Sequence, residues 1–271
     1  MNYTFVAQTH RGRVRANNED AVDFDLLTGL AVLADGMGGY KAGEVASALA
    51  TGHIKTELSG WLQACGEPKN LRDIRQAAHS CVANANALIL ASARANPEHV
   101  GMGTTLVLAI FWGSHLVLGH VGDSRCYRMR GGVLQQLTKD HSVLQEQIDA
   151  GLLTPEQAML SADRNLVTRA LGVEGAAKLE LNDFSVQDGD LYLLCSDGLT
   201  DMVQDMGIEA TLRRQTPLDK TAGDLVQMAN QNGGRDNIAV LLVRAAEAKR
   251  QRHFIDKLLG RSQWDGGRNH G

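Results

Sequence analysis

The chain has 271 residues, with 27 lysines and arginines against 31 aspartates and glutamates, which gives a formal net charge of −4. Apolar residues make up 44% of the sequence and charged residues 21%, a balance that is typical of globular proteins and excludes a disordered chain. The acidic excess argues against a nucleic-acid partner, because nucleic-acid-binding proteins usually carry a basic surface. It favours a cationic partner, either a protein surface or a metal ion.

No segment predicts export or insertion into a membrane. Residues 1–15 lack the apolar stretch of a signal peptide. The longest apolar runs, residues 106–112 and 238–243, are far shorter than the roughly 20 residues that span a bilayer. The four cysteines are scattered without a CxxC pair, as in proteins of a reducing compartment. We therefore expect a cytoplasmic protein without a membrane span.

The first half of the chain predicts strands, then two helices, then strands again. Apolar residues recur every three to five positions from Val45 to Trp61, which indicates a helix with one apolar face. Asn96-Pro97 ends a second helix, because the residue before a proline avoids helical geometry. The predicted elements are strands over 3–8 and 30–34, helices from 44 to 61 and over 71–94, and strands over 104–112, 115–121, 125–129 and 134–137.

The second half predicts a helix within the mixed segment 141–170 and then a further set of strands and helices. These are strands over 178–184 and 191–195, helices over 206–215 and 218–231, and a last strand over 238–243. Strand runs flanked by helices and joined by short links favour an antiparallel α+β layered fold over a parallel βαβ sheet. Residues 244–271 are basic, so we divide the chain into a domain over 1–243 and a basic extension over 244–271.

Four aspartates, Asp35, Asp123, Asp197 and Asp236, lie at the ends of apolar runs. Strand ends from distant parts of a chain can converge on one edge of a sheet stack, where clustered carboxylates need a cation to stay ionised. Carboxylate oxygens suit Mg²⁺ or Mn²⁺, and the HExxH and CxxC motifs of zinc sites are absent. A single Asp-Gly pair more often closes a tight turn, so each aspartate alone also fits that simpler interpretation.

Nine short motifs surround these aspartates: RANNED (15–20), DGMGG (35–39), GEVAS (43–47), GMGTT (101–105), GDSR (122–125), KDHS (139–142), TRALG (168–172), SDGL (196–199) and GRDN (234–237). In this order, over about residues 3–243, the chain resembles the metal-dependent serine/threonine protein phosphatases of the type-2C (PPM) family in their compact bacterial form. The resemblance implies a four-layer αββα fold, in which a central antiparallel β-sandwich is flanked by helices. It also implies a dinuclear Mn²⁺ or Mg²⁺ centre at one edge.

The resemblance assigns metal ligands residue by residue. Asp35 matches the carboxylate that bridges both metals, and Gly36 matches the residue that offers a backbone carbonyl. Asp197 and Asp236 match the other ligands of the first metal.

Further roles follow from the same resemblance. Glu19 matches a residue that holds the second metal through water, with Asp20 and Asn237 as support behind the ligands. Asp123 matches the aspartate that, with Asp197, holds a weaker third metal in bacterial members. Arg15 stands where the family keeps its phosphate-binding arginine.

Metal chemistry agrees with these assignments. Two adjacent cations lower the pKa of a bridging water, and the resulting hydroxide can attack phosphorus in line without a phosphoenzyme. Arg15 offers a planar fork to two phosphoryl oxygens. A phosphocysteine route lacks its motif, because no cysteine here has an arginine six positions later.

The donor of the leaving-group proton is not assigned by the motifs. Many eukaryotic members carry a histidine where this chain has Met37, and Tyr40 stands where bacterial relatives often have histidine. A water on the third metal, near Asp123, is our hypothesis for the proton source.

We therefore predict an enzyme that removes phosphate from phosphoserine and phosphothreonine in proteins. Its expected partners are a cognate bacterial serine/threonine kinase or that kinase's substrates. Two alternatives stay open. A catalytically dead, binding-only module would have lost metal ligands, whereas the matched acidic positions are intact here. A different dinuclear metallohydrolase would usually include histidine ligands, which these motifs lack.

Overall fold

A computed structural model describes residues 1–39, 42–64, 70–154, 157, 166–173 and 175–247. Tyr40 and residues 248–271 of the predicted basic extension lie outside this part of the chain. The described residues form eleven strands, which are β1 Asn2–His10, β2 Asp20–Asp25, β3 Leu30–Met37, β4 Gly103–Thr104, β5 Leu106–Trp112, β6 His115–Val121, β7 Arg125–Arg130, β8 Val133–Gln136, β9 Glu180–Ser185, β10 Leu191–Cys195 and β11 Ile238–Ala246.

The helices of the described residues are α1 Ala42–Ala64, α2 Leu71–Ala95, α3 Val143–Asp149, α4 Asp197–Thr200, α5 Asp205–Leu212 and α6 Leu218–Gln231, with a 3₁₀ turn over Pro97–His99. Asn70 begins α2 by accepting a hydrogen bond from the Asp73 amide, and Asn96 ends it in extended geometry just before Pro97. None of the helices that the structure describes has the length and hydropathy to cross a membrane.

The strands form two antiparallel sheets. One has the order β1-β11-β10-β7-β8 and the other β2-β3-β5-β6-β9, with the short β4 paired to β3. Every strand pairing is antiparallel, as the hairpin-length links predicted.

Both faces of the central strands are buried, which explains why they read as continuous apolar runs rather than alternating ones. In β11, Ile238, Val240 and Leu242 pack beneath helices α4 to α6, whereas Ala239, Leu241 and Val243 pack between the two sheets. Helices α1 and α2 cover the outer face of the other sheet. This four-layer αββα sandwich confirms the predicted fold class.

The structure differs from the sequence prediction at several elements. β2 was not predicted. It is an edge strand in which acidic residues are interspersed with apolar ones. Its pairing with β3 starts at Asp20, which lies opposite Asp35. The single turn α4 was also not predicted, because four residues are too few to show a helical period. β11 continues three residues beyond Val243 and pairs with the start of β1.

Antiparallel pairing brings distant segments of the first sheet to one edge. Cys195, at the end of β10, lies opposite Val240 of β11 and opposite Arg125 of β7. The residues just after β10 and just before β11 and β7 therefore meet there. His10 lies opposite Ile238, so the segment that follows β1 leaves from the same edge.

The second sheet contributes its own strand ends to this edge. Asp20 begins β2 directly opposite Asp35, near the end of β3. The link from β6 to β7, residues 122–124, crosses from one sheet to the other at this place. We call the set of residues gathered here the acidic edge; it consists of Arg15, Glu19, Asp20, Asp35, Gly36, Asp123, Asp197, Asp236 and Asn237.

Candidate metal centre

Asp35 is held through its backbone by two threonines. Its amide donates to Thr105 Oγ1 at 3.0 Å, and its carbonyl accepts from the Thr105 amide at 2.9 Å and from Thr104 Oγ1 at 2.8 Å. Thr105 Oγ1 also lies 2.8 Å from Ser124 Oγ, next to Asp123. These contacts fix the Asp35 main chain and tie it to the loop that carries Asp123.

Gly36 lies where no side chain fits. A Cβ on Gly36 would collide with the carbonyl oxygen of Gly43, in the first turn of α1. The Gly36 amide donates to the Glu19 carbonyl at 3.1 Å, and Ser47 Oγ donates to the same carbonyl at 2.6 Å. The start of α1 is therefore packed directly onto the backbone around Glu19 and Gly36.

Asn237 anchors the loop that carries Arg15 and Glu19. Its Oδ1 accepts from the Glu19 amide at 2.7 Å, and its Nδ2 donates to the carbonyls of Arg11 at 3.0 Å and Asn17 at 2.8 Å. All three contacts use the amide side chain alone, so Asn237 positions Glu19 without offering an oxygen to a metal.

Arg15 and Asp236 form an ion pair at the rim of the acidic edge. Arg15 NH2 lies 2.6 Å from Asp236 Oδ2, and the Arg15 side chain is 54% exposed. The hydrogen bond that Arg15 donates to Asp236 raises the pKa of Arg15, so its charge is permanent. About half of the Arg15 side-chain surface remains open to an anionic ligand.

Asp197 begins α4, and its neighbours fix its position. Ser196 Oγ donates to Asp20 Oδ2 at 2.8 Å and accepts from the Ala239 amide at 2.9 Å. A Cβ on Gly198 would collide with the carbonyl oxygen of Asn237, so the turn packs tightly against the start of β11.

Two buried carboxylate oxygens in the described part of the chain have no hydrogen-bond partner. They are Asp20 Oδ1 and Asp197 Oδ1, and both lie at the acidic edge. A buried polar atom without a partner destabilises the fold, and a buried unpaired charge does so more strongly. A ligand that supplies positive charge would satisfy both oxygens.

Burial and mutual repulsion raise the pKa of the acidic side chains. Burial raises the pKa of Asp35 well above its usual value, and the charges of Asp20, Asp197, Asp123 and Asp236 add to the shift. Burial likewise raises the pKa of Asp197, with further contributions from the charges of Asp123 and Asp236. A raised pKa means that the carboxylate binds a proton readily. A metal cation would neutralise the same negative charge, so these side chains indicate a cation-binding site.

Three neighbouring carboxyl groups follow the same trend. Burial raises the pKa of Asp20 to about 7, even though the hydrogen bond from Ser196 opposes the shift. Burial and then the charge of Asp140 raise the pKa of Asp123 to about 6. Burial also raises the pKa of Glu19, against the opposing charge of Arg15.

The residues present therefore fit the metals that the resemblance implies. The acidic edge gathers carboxylates and backbone carbonyls, which are hard oxygen ligands suited to Mn²⁺ or Mg²⁺. The structure brings all nine predicted site residues to one edge. The charges of Asp20, Asp197, Asp123 and Asp236 all act on Asp35. Hydrogen bonds join the remaining members of the acidic edge to this group, namely Glu19, Gly36, Asn237 and Arg15.

Sequence reasoning missed three contributors to this site. The charge of Asp201, one turn after Asp197, raises the pKa of both Asp123 and Asp197, and the i, i+4 spacing of the two aspartates was an available signal. Thr105 and Ser196 stand inside recognised motifs, but their partners lie 70 and 176 positions away in the chain. No local pattern could have assigned those roles.

The chain is similar to phosphatases of one family. The family model described as Protein phosphatase 2C matches residues 7–242. The serine/threonine phosphatase stp of Listeria monocytogenes is 39% identical over 241 residues, covering 87% of this chain and 93% of the relative. The crystal structure of the Mycobacterium tuberculosis serine/threonine phosphatase PstP/Ppp has a TM-score of 0.81 at 39% identity, covering 91% of this chain and 100% of that one.

A further solved structure contains metal. It is the catalytic domain of the serine/threonine protein phosphatase PstP in complex with two manganese ions. Its TM-score to this chain is 0.77 at 39% identity, covering 90% of this chain and 99% of that one.

Metal binding at the acidic edge should release protons near neutral pH. Asp20 and Asp123, with pKa values of about 7 and about 6, are partly protonated there in the metal-free protein, and a bound cation favours their charged forms. The apparent affinity for Mn²⁺ should therefore fall as the pH drops through this range. The measurement is calorimetric titration of metal-free protein with Mn²⁺ in two buffers of different ionisation enthalpy.

The binding enthalpies in the two buffers should differ in proportion to the protons released. Equal enthalpies in both buffers at about pH 6.5 would contradict the raised pKa values. Asp219→Asn is the matched control, because this exposed residue lies on α6 and its substitution should leave the proton count unchanged.

Proposed function

The chain belongs to the protein phosphatase 2C family of metal-dependent serine/threonine phosphatases, and we propose that it hydrolyses phosphoserine and phosphothreonine in proteins at the acidic edge. This family membership confirms the resemblance seen in the motifs. The proposed location of the reaction rests on one observation. Two buried carboxylate oxygens of the described residues, Asp20 Oδ1 and Asp197 Oδ1, lack a hydrogen-bond partner and lie beside the half-exposed cation Arg15. This arrangement suits metal ions together with a phosphate.

Two Mn²⁺ or Mg²⁺ ions occupy this edge in our proposal. Asp35 would be a ligand of both ions, and the Gly36 carbonyl would be a further ligand. Asp197 and Asp236 would complete the protein ligands of the first ion, and Glu19 would hold the second ion through water. The manganese pair in the related PstP structure supports this number of ions.

A weaker third ion would be held by Asp123 and Asp197. Burial and then the charge of Asp123 raise the pKa of Asp197, which supports a cation shared by these two carboxylates. Asp201 adds charge on the same side of the edge.

When bound, the paired ions supply an activated water and offset the charge on the phosphoryl oxygens, which allows direct in-line hydrolysis without a phosphoenzyme. The chain's own residues then orient the reactants. Arg15 presents its guanidinium to two phosphoryl oxygens, and the 2.6 Å contact with Asp236 fixes the plane of that fork. Asn237 keeps Arg15 and Glu19 on one ordered loop through its contacts with three backbone groups.

The expected partners are phosphorylated proteins, namely a cognate serine/threonine kinase or its targets. The bacterial phosphatases among the relatives support a role in reversing such a kinase. We place the protein in the cytoplasm, because Cys81, Cys126 and Cys195 are buried free thiols, which suits a reducing compartment.

Asp35→Asn and Asp236→Asn should each lower phosphopeptide hydrolysis by at least about a hundredfold, because each removes charge from the metal ligands. EDTA should abolish the activity of the unaltered protein, and Mn²⁺ should restore it. The measurement is phosphate release from a phosphothreonine peptide. Asp219→Asn, on the exposed face of α6, is the control and should retain full activity.

Activity that persists in EDTA, or in both variants, would contradict the metal mechanism. Binding of phosphopeptides without any hydrolysis in Mn²⁺ would instead favour the binding-only alternative.

Arg15→Ala should raise KM for the phosphopeptide by at least about tenfold, because a charged hydrogen bond to phosphate is lost. The number of Mn²⁺ ions bound, measured by calorimetry, should stay the same. Arg94→Ala is the control, since this exposed arginine lies in the last turn of α2. An unchanged KM in Arg15→Ala would remove Arg15 from the phosphate site.

Asp123→Asn should lower turnover by about tenfold while two metal ions remain bound, because it removes a ligand of the third ion alone. Steady-state kinetics gives the turnover, and calorimetry gives the number of ions. Normal turnover in this variant would overturn the hypothesis that a water on the third ion, near Asp123, supplies the proton to the leaving oxygen.

A further inference from the structure

Helices α1 and α2 carry a second group of metal-ligating side chains, away from the acidic edge. His53 and Glu57 lie one turn apart on α1, and Cys81 faces them from α2. One ligand atom of each lies within 4.8 Å of the other two. We propose that His53, Glu57 and Cys81 form a Zn²⁺ site that bridges the two helices and leaves one coordination position open.

The polar atoms of this group have few other partners. His53 Nε2 is buried without a hydrogen bond, and its distance of 3.6 Å to Glu57 Oε2 is too long for one. Cys81 Sγ makes a weak contact of 3.9 Å with the Ile54 carbonyl. Because buried nitrogen atoms are normally paired, His53 Nε2 marks a position where a ligand is expected.

The donor set selects zinc over the metals of the acidic edge. Imidazole, carboxylate and thiolate together suit Zn²⁺, whereas Mg²⁺ and Mn²⁺ prefer oxygen ligands alone. With zinc–ligand distances of about 2.0–2.3 Å, neighbouring ligand atoms in a tetrahedral site lie roughly 3.3–3.7 Å apart. The His53–Glu57 distance of 3.6 Å already fits this value. Cys81 Sγ lies within 4.8 Å of the other two ligand atoms.

An ion can reach this site from solvent. Glu57 and Cys81 line a groove of about 410 Å³ between the two helices. Asn84 Nδ2 donates to Glu57 Oε2 at 3.5 Å and orients that carboxylate from the far side of the groove. Burial, followed by the charge of Glu57, raises the pKa of Cys81 to about 12, so zinc binding must displace a thiol proton.

A comparable cluster near the acidic edge lacks these properties. His120, His141 and Glu180 also place ligand atoms within 4.8 Å of one another. However, His141 Nδ1 accepts from the Gly122 amide, and Arg169 NH1 lies 3.2 Å from His141 Nε2. The guanidinium occupies the place where a cation would bind, so this cluster serves packing and hydrogen bonding.

The α1–α2 site can be tested with Co²⁺, which replaces Zn²⁺ and absorbs light. A thiolate bound to Co²⁺ gives a charge-transfer band in the near ultraviolet, and the oxygen ligands of the acidic edge give none. The full-length protein titrated with Co²⁺ should show this band, and added Zn²⁺ should remove it. Cys81→Ser should abolish the band, and His53→Gln should weaken Co²⁺ binding at this site by at least about tenfold.

Cys65→Ser is the matched control and should keep the band, which assigns it to Cys81 rather than to another thiol. Circular dichroism and Mn²⁺-supported phosphatase activity of each variant establish that it is folded. The proposal is overturned if the unaltered protein shows no thiolate band, if the band persists in Cys81→Ser, or if Cys65→Ser loses it.

Discussion

Mutual repulsion among buried carboxylates is the constraint on which the acidic edge depends. Asp20, Asp35 and Asp197 lie at the end of a hydrophobic sandwich, where the surrounding low dielectric strengthens their repulsion. They stay together because the strands that carry them are fixed by three apolar layers, two beneath the helices and one between the sheets. The raised pKa values reflect this repulsion, and a divalent cation at the acidic edge would relieve it. The free energy of apolar packing thus keeps the three aspartates close together even though their negative charges repel one another.

The supporting contacts are made largely by the backbone and by neutral side chains. Thr104 and Thr105 hold the main chain of Asp35, and Ser196 donates to Asp20. Asn237 binds three backbone groups of the preceding loop. These neutral groups add no charge, so the carboxylates keep their net negative potential while their positions are fixed. A metal site built this way is ordered before the metal arrives.

The sequence was most informative where burial is simplest. Strands such as β6 and β11 are buried on both faces, so their apolar runs predicted them with nearly correct ends, and the long helices followed from their apolar faces. β2 was missed because an edge strand with alternating acidic residues resembles a surface loop. Its absence from the prediction also hid the pairing of Asp20 with Asp35, which depends on strand register. The sequence motifs identified the site residues. The hydrogen bonds of the Thr104, Thr105 and Ser196 hydroxyls that position those residues could be seen only in the structure.

The pairing of β1 with β11 has a consequence for how the protein is made. These strands lie at opposite ends of the described chain, and β1 finds its place in the first sheet only beside β11. The loop with Arg15 and Glu19 is likewise held by Asn237, more than 200 positions later. During synthesis, therefore, residues 2–19 can become ordered only after residues 237–246 have left the ribosome. Such long-range closure is slow to form, and it ties the first appearance of the acidic edge to the synthesis of residues 237–246.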